Sequence, residues 1–154
     1  MPIKCTTPMS QIDKYIKQQL ERQERALIRT LSYVGERCVN EARAYNGKAY
    51  TDQTGNLRSS VGYVVAVDGK IRSSSTFETV LNGDEGGKTG KAYAKELVSK
   101  YPQGAVLIVV AGMNYAQYVS AKGYNVLSSA ELLAEQLVPT LLKQLGTLNN
   151  DSQQ

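Results

Sequence analysis

Apolar residues recur at helical spacing over residues 10–45. Ile12, Ile16, Leu20, Leu27, Leu31, Val34, Cys38, Ala42 and Tyr45 stand three, four or seven positions apart. They fall on one side of an α-helix and form one stripe to be buried. Ser10 with Asp13 predicts a capping box at its start, and Asn46-Gly47 predicts a left-handed stop. A single helix this long is unusual in a small domain. Its far end is therefore expected to project from the body and to find its partner on another subunit. Residues 1–9 carry Pro2 and Pro8 and predict an extended arm.

After a polar stretch over residues 46–56 the period changes to two. Leu57, Ser59, Val61, Tyr63, Val65 and Val67 share one face, and Arg58, Ser60, Gly62, Val64 and Ala66 share the other, the mark of a strand. Asp68-Gly69 suits a two-residue hairpin turn. The return strand carries Ile71, Ser73, Ser75 and Phe77 on one face, and its serines predict an edge. Residues 82–90, rich in glycine, predict a flexible loop. A short helix over 91–100, burying Ala92, Leu97 and Val98, should follow. Residues 105–111 are apolar without a break, as in a central strand covered on both faces.

Asn114 can cap a short helix over 115–122, closed by Gly123. Ser128 and Glu131 predict a second capping box. The last helix should run over 128–145 with Ala130, Leu133, Leu137, Leu141 and Leu145 in register. Pro139 should kink or split it, and Gly146 should end it. The pattern as a whole predicts an α+β fold: a long N-terminal helix, a small, mostly antiparallel sheet of three to four strands with a β-hairpin, and a C-terminal helix. One domain over 10–145 would lie between a flexible arm, 1–9, and a flexible polar tail, 146–154.

Composition narrows the chemistry. The 154 residues suit one domain, and 42% apolar with 21% charged residues suits a globular rather than a disordered chain. No stretch approaches the roughly 20 apolar residues that span a bilayer, and the first residues lack the apolar core of a signal peptide. The chain is thus expected to stay in the compartment where it is made. Histidine is absent, which removes Ser-His and Cys-His nucleophile pairs and histidine metal centres. Two distant cysteines, Cys5 and Cys38, are too few for a disulfide framework or a four-cysteine zinc site. The net charge of +4 is scattered. Pairs such as Asp13/Lys17, Glu21/Arg25 and Arg37/Glu41 fit a solvated helix face.

Gly87-Lys88-Thr89 imitates the end of a phosphate-binding loop. That loop needs glycine five residues before Gly87, and Asn82 stands there, with Gly83 one position out of register. The shift breaks the cradle of backbone N–H groups that holds phosphate. No catalytic, metal or cofactor-binding residues are therefore assigned. Ten tyrosines stand against one phenylalanine and no tryptophan, and Tyr115, Tyr118 and Tyr124 cluster. Tyrosine suits both a core rim and a subunit contact.

Two segments resemble a known family. The first is Thr54-Gly55-Asn56-Leu57-Arg58-Ser59-Ser60-Val61. The second is Ala111-Gly112-Met113-Asn114-Tyr115-Ala116-Gln117-Tyr118-Val119, followed by Lys122-Gly123-Tyr124-Asn125-Val126-Leu127. Together with a long helix ahead of them they resemble the neck and tail-completion proteins of long-tailed bacteriophages, a group that includes minor tail protein Z relatives. The second segment is most similar to versions from phages and prophages of Bacteroides-type gut bacteria. The resemblance implies a non-enzymatic virion protein, assembled in the bacterial host cytoplasm. It implies a homo-oligomeric ring of six or twelve copies between the portal or head-closure proteins and the tail tube or tail terminator. Genomic DNA would pass through without sequence recognition, and neither a cofactor nor a membrane would be involved. The alternatives are a small basic nucleic-acid-binding protein and, third, a nucleotide-binding enzyme.

On that reading the strand at residues 54–67 and the corner at 113–127 carry the subunit contacts. The candidates are Asn56, Leu57, Arg58, Tyr63, Met113, Asn114, Tyr115, Tyr118, Tyr124 and Val126. Replacing Tyr115 and Tyr118 together with alanine is expected to weaken ring formation at unchanged helix content. Light scattering and circular dichroism check this, and unchanged assembly counts against it.

Overall fold

A computed structural model describes residues 3–4, 6–44, 55–77, 81–113, 116–121 and 126–151. Helix α1, Met9–Arg43, follows the apolar stripe. Its start differs from expectation. The carbonyl of Pro8 accepts the N–H groups of Gln11 and Ile12, with no side-chain cap, and Ser10 lies inside the helix. Proline's fixed φ sets the entry here instead of a capping box. The predicted stop at Asn46-Gly47 lies outside the described residues.

Residues 56–59 are not the beginning of the strand. They form one helical turn, α2, Asn56–Ser59, entered through Gly55 at φ 78°. Strand β1, Val61–Val67, begins after it. The alternation that suggested a longer strand also places Leu57 inward from a helical turn. Asp68 and Gly69 take φ 50° and 77°, both positive, as the tight hairpin turn requires. Strand β2, Lys70–Ser74, returns as an exposed edge.

The glycine-rich segment is a helix, not a flexible loop. Helix α3 runs over Asp84–Val98, and Gly86, Gly87 and Gly90 are buried in it. Ala94 and Val98 face the core, whereas Ala92 is exposed. Strand β3, Ala105–Ala111, is covered on both faces but stands at the edge of the sheet, whose order is β2-β1-β3 with both pairings antiparallel. Its unbroken apolar run reports the two covered faces and says nothing about the third direction, along the hydrogen bonds. Helix α4, Ala116–Ala121, is short. Helix α5, Ser128–Asp151, passes through Pro139 and Gly146, where a break and a stop were expected, and takes up the first part of the expected tail. Ala130, Ala134, Leu137, Val138 and Leu141 pack against the core beside α1. That tertiary burial outweighs the local cost of the proline.

The sheet divides the core. On one face Val61, Tyr63 and Val65 of β1 meet Leu31, Val34, Cys38 and Ala42 of α1 and Ala130 of α5. On the other, Val64 and Ala66 meet Phe77, Ala94 and Val98, with Ile108 and Val110 of β3. Two glycines seat the large rings. A Cβ on Gly35 would come within 2.5 Å of the Tyr63 ring, and one on Gly62 would overlap the Phe77 ring. Phe77 takes φ 51°, costly for a bulky residue, while its ring is buried against β1. Arg43, in the last turn of α1, donates from Nη2 to the Val61 carbonyl at 2.7 Å. Arg72 of β2 pairs with Glu24 of α1.

Gly146 has nothing within 4 Å of where a Cβ would stand, in contrast to Gly35. Gly146→Ala is expected to stabilise the protein by about 0.5–1 kcal/mol through helix propensity. Gly35→Ala is expected to destabilise it by about 1–3 kcal/mol through overpacking. Urea denaturation of the two variants reads both signs.

Candidate assembly surface

The two segments that carry the family resemblance meet in space, and α3 joins them. The α2 turn is closed by Ser59 N–H to the Gly55 carbonyl, 2.9 Å, and Ser60 N–H to the Asn56 carbonyl, 2.9 Å. The Asn56 side chain then reaches α3. Its Oδ1 accepts the Gly86 N–H at 3.1 Å, so Asn56 satisfies one of the open donors in the first turn of α3 from a distant part of the chain. The approach is backbone against backbone. A Cβ on Gly86 would overlap the Asn56 carbonyl, and one on Gly90 would overlap that of Ser60. Gly112 closes the other side. Its N–H donates to the Ser60 carbonyl at 3.3 Å, and a Cβ there would lie 2.5 Å from the Gly90 Cα.

Leu57 is 1% exposed and Val126 3%. They pack with Ala116, beside half-buried Met113 and Leu127. Of the candidate contact residues the fold therefore brings Asn56, Leu57, Met113 and Val126 into one corner, with the Leu57 and Val126 side chains inside the protomer. Their work here is to hold the corner's shape. Arg58 is half-buried beside them. Tyr63 is elsewhere, in the core between β1 and α1. Its phenol is pushed above the ordinary value, chiefly by burial. Asn114, Tyr115 and Tyr124 lie outside the described residues, as does the side chain of Tyr118, which falls on α4.

The phosphate-loop imitation is resolved by the same helix. Gly87 N–H donates to the Gly83 carbonyl at 3.2 Å inside α3, so it is not turned outward to receive an anion. Among the described residues no group of three or more acidic or cysteine side chains is placed to hold a metal ion. No helix among them is long and apolar enough to cross a membrane. Cys38 is buried, and its Sγ lies 3.4 Å from the Ala130 carbonyl. Burial raises its pKa and the nearby Arg37 charge lowers it, burial being the larger effect. The thiol therefore stays protonated near neutrality and is a poor nucleophile.

Of two open surfaces, sequence reasoning anticipated the first and missed the second. The stripe of α1 continues beyond the body: Met9, Ile16 and Leu20 are 68%, 50% and 62% exposed. Ile16 and Leu20 belong to the stripe expected to project, whereas Met9 falls in the expected arm and is instead the first residue of the helix. The second surface is the outer edge of β3. A groove of about 360 Å³ runs from Tyr93 and Leu97 of α3 across Val109 and Ala111 to Leu127 and Glu131. Another, of about 310 Å³, lies between Leu107 and Val109 of β3 and Ala130 and Ala134 of α5.

Gly90→Ala is expected to cost about 1–3 kcal/mol, towards the upper end because the obstacle is a backbone carbonyl and not a side chain that can turn away. Thermal unfolding checks it, and a neutral effect would contradict the close approach of α3. The chain was compared with protein-family models, with curated proteins and with solved structures, and none of them matches it.

Proposed function

We propose that this protein is a structural component of the neck or tail-completion region of a long-tailed phage. Identical subunits form a ring that joins the DNA-filled head to the tail and lets DNA pass. The phage setting rests on the resemblance of the two segments at Thr54–Val61 and Ala111–Leu127. The assembly role rests on one observation above others, the exposed continuation of the α1 stripe at Met9, Ile16 and Leu20. A monomer gains nothing by keeping large apolar side chains in line with its core on a helix that outruns it, whereas a subunit does. A ring closes when one patch meets a different patch on the next copy. A projecting helix supplies a patch far from the rest of the surface. The portal or head-closure proteins on one side and the tail tube or terminator on the other are the neighbours this role implies.

Ile16→Asp with Leu20→Asp places two charges on the stripe without touching the buried part of α1. The double variant is expected to lose oligomers by mass photometry at micromolar concentration while circular dichroism keeps its helix signal. Unchanged assembly would remove the stripe from the contact. Purified phage particles that lack the polypeptide would overturn the virion role itself.

A further inference from the structure

The register of the sheet fixes which groups β3 leaves open. Ser60 accepts from Gly112 N–H, and Asp68 N–H donates to Gly104. These pairs bracket the β1–β3 ladder, in which Val61 faces Ala111 and Val67 faces Ala105. Hydrogen-bonded pairs alternate along an antiparallel ladder, so Val106, Ile108 and Val110 bond to β1. Ala105, Leu107, Val109 and Ala111 point their N–H and C=O groups the other way. Among the described residues nothing pairs with them. The two edges of the sheet differ sharply. Edge β2 carries Lys70, Arg72 and serines, and its pairing with β1 is irregular at Val65/Ala66. Edge β3 has no charge, no proline and no irregularity. Charges, prolines and bulges are what keep an edge from pairing. The bare edge also borders two grooves, of which the one against α5 is mostly apolar.

We propose that this edge takes up the N-terminal arm of a second copy of the chain as an added antiparallel strand. The arm suits the place by parity. Pro2 and Pro8 both occupy even positions. With Ile3, Cys5 and Thr7 paired to β3, both prolines face outward, where a missing N–H costs nothing, and they leave the new edge unable to pair further. Directly paired residues share a face of the sheet. Ile3, fully exposed on the arm, then lies on the side of Leu107 and Val109, whose groove is completed by Ala130 and Ala134.

The arm has to come from another molecule. Cys38 lines that groove, and at the α-helical rise the stretch of α1 from Met9 to Cys38 is roughly 44 Å long. The backbone from Met9 back to Ile3 spans about 20 Å when fully extended. An arm carried on the far end of α1 thus falls short of its own groove by about half the distance. Arm to edge is a contact between two different patches, which propagates from copy to copy and closes into a ring when the rotation between copies returns to the start. This inference deepens the assembly role proposed above and names the joint.

The experiment uses the full chain, a variant lacking residues 2–7, and Val109→Pro, each followed by mass photometry and circular dichroism. Proline at 109 removes an outward N–H and leaves the bonds to β1 in place. Each variant alone is expected to lose at least nine-tenths of the oligomers with its helix signal kept. Mixed one to one, they are expected to form a heterodimer and nothing larger, because one partner keeps only its edge and the other only its arm. Full assembly by the deleted variant overturns the inference and points to direct pairing of β3 with β3 or to another occupant. No heterodimer from two folded variants overturns it too, and the deletion alone decides if Val109→Pro does not fold. If Ile16→Asp with Leu20→Asp abolishes assembly while the arm deletion does not, the arm exchange fails and the assembly role stands.

Discussion

Strand β1 has no face open to water, and the rest of the molecule is arranged around that fact. Val61, Tyr63 and Val65 are covered by α1 and α5, and Val64 and Ala66 by α3 and Phe77. A strand of seven residues cannot hide both faces by itself, so two helical layers are required. The strand's own composition sets how closely each may lie. Gly62 admits the Phe77 ring on one side, and Tyr63 reaches into the space left by Gly35 on the other. Such fits are intolerant of added volume because protein interiors are packed to crystal density.

The same economy appears at the corner where the two family-like segments meet. The α2 turn, the start of α3 and the end of β3 approach at backbone distance, which small residues alone allow. Asn56 then ties the turn to the first turn of α3. A rigid corner of this kind is consistent with a part whose surface must be presented reproducibly to neighbours. The candidate contact residues divide accordingly. Leu57 and Val126 build the corner from inside, while the far end of α1 and the outer edge of β3 lie open among the described residues.

Those two surfaces complement each other in kind. One is an apolar stripe on a helix that outruns its support. The other is a strand edge whose outward backbone groups meet no partner among the described residues, bordered by two grooves. The Cys38 thiol and Tyr63 phenol are shifted by burial in the core. On the assembly role proposed above, these surfaces would supply packing area and backbone hydrogen bonds, the means by which identical chains join.

The sequence alone determined the elements whose signal is local and long. The α1 stripe, the Asp68-Gly69 hairpin, the exposed β2 edge, the apolar β3 run and the register of α5 from Ala130 to Leu141 all follow from periodicity and turn chemistry. Only tertiary structure decided the rest, and each case has its reason. Glycines at 86, 87 and 90 read as a loop because glycine is a poor helix former by itself. They stand in a helix packed so closely on neighbouring backbone that a Cβ has no room at 86 and 90 and little at 87. Pro139 and Gly146 read as breaks, yet the helix continues through both, and the packing of Leu137, Val138 and Leu141 on the core holds it at the proline. Residues 105–111 read as a central strand because a covered face looks the same in sequence whether the strand lies in the middle of a sheet or at its edge. The bonds that separate those two cases are made by backbone, which every residue carries alike, so side-chain pattern cannot report them.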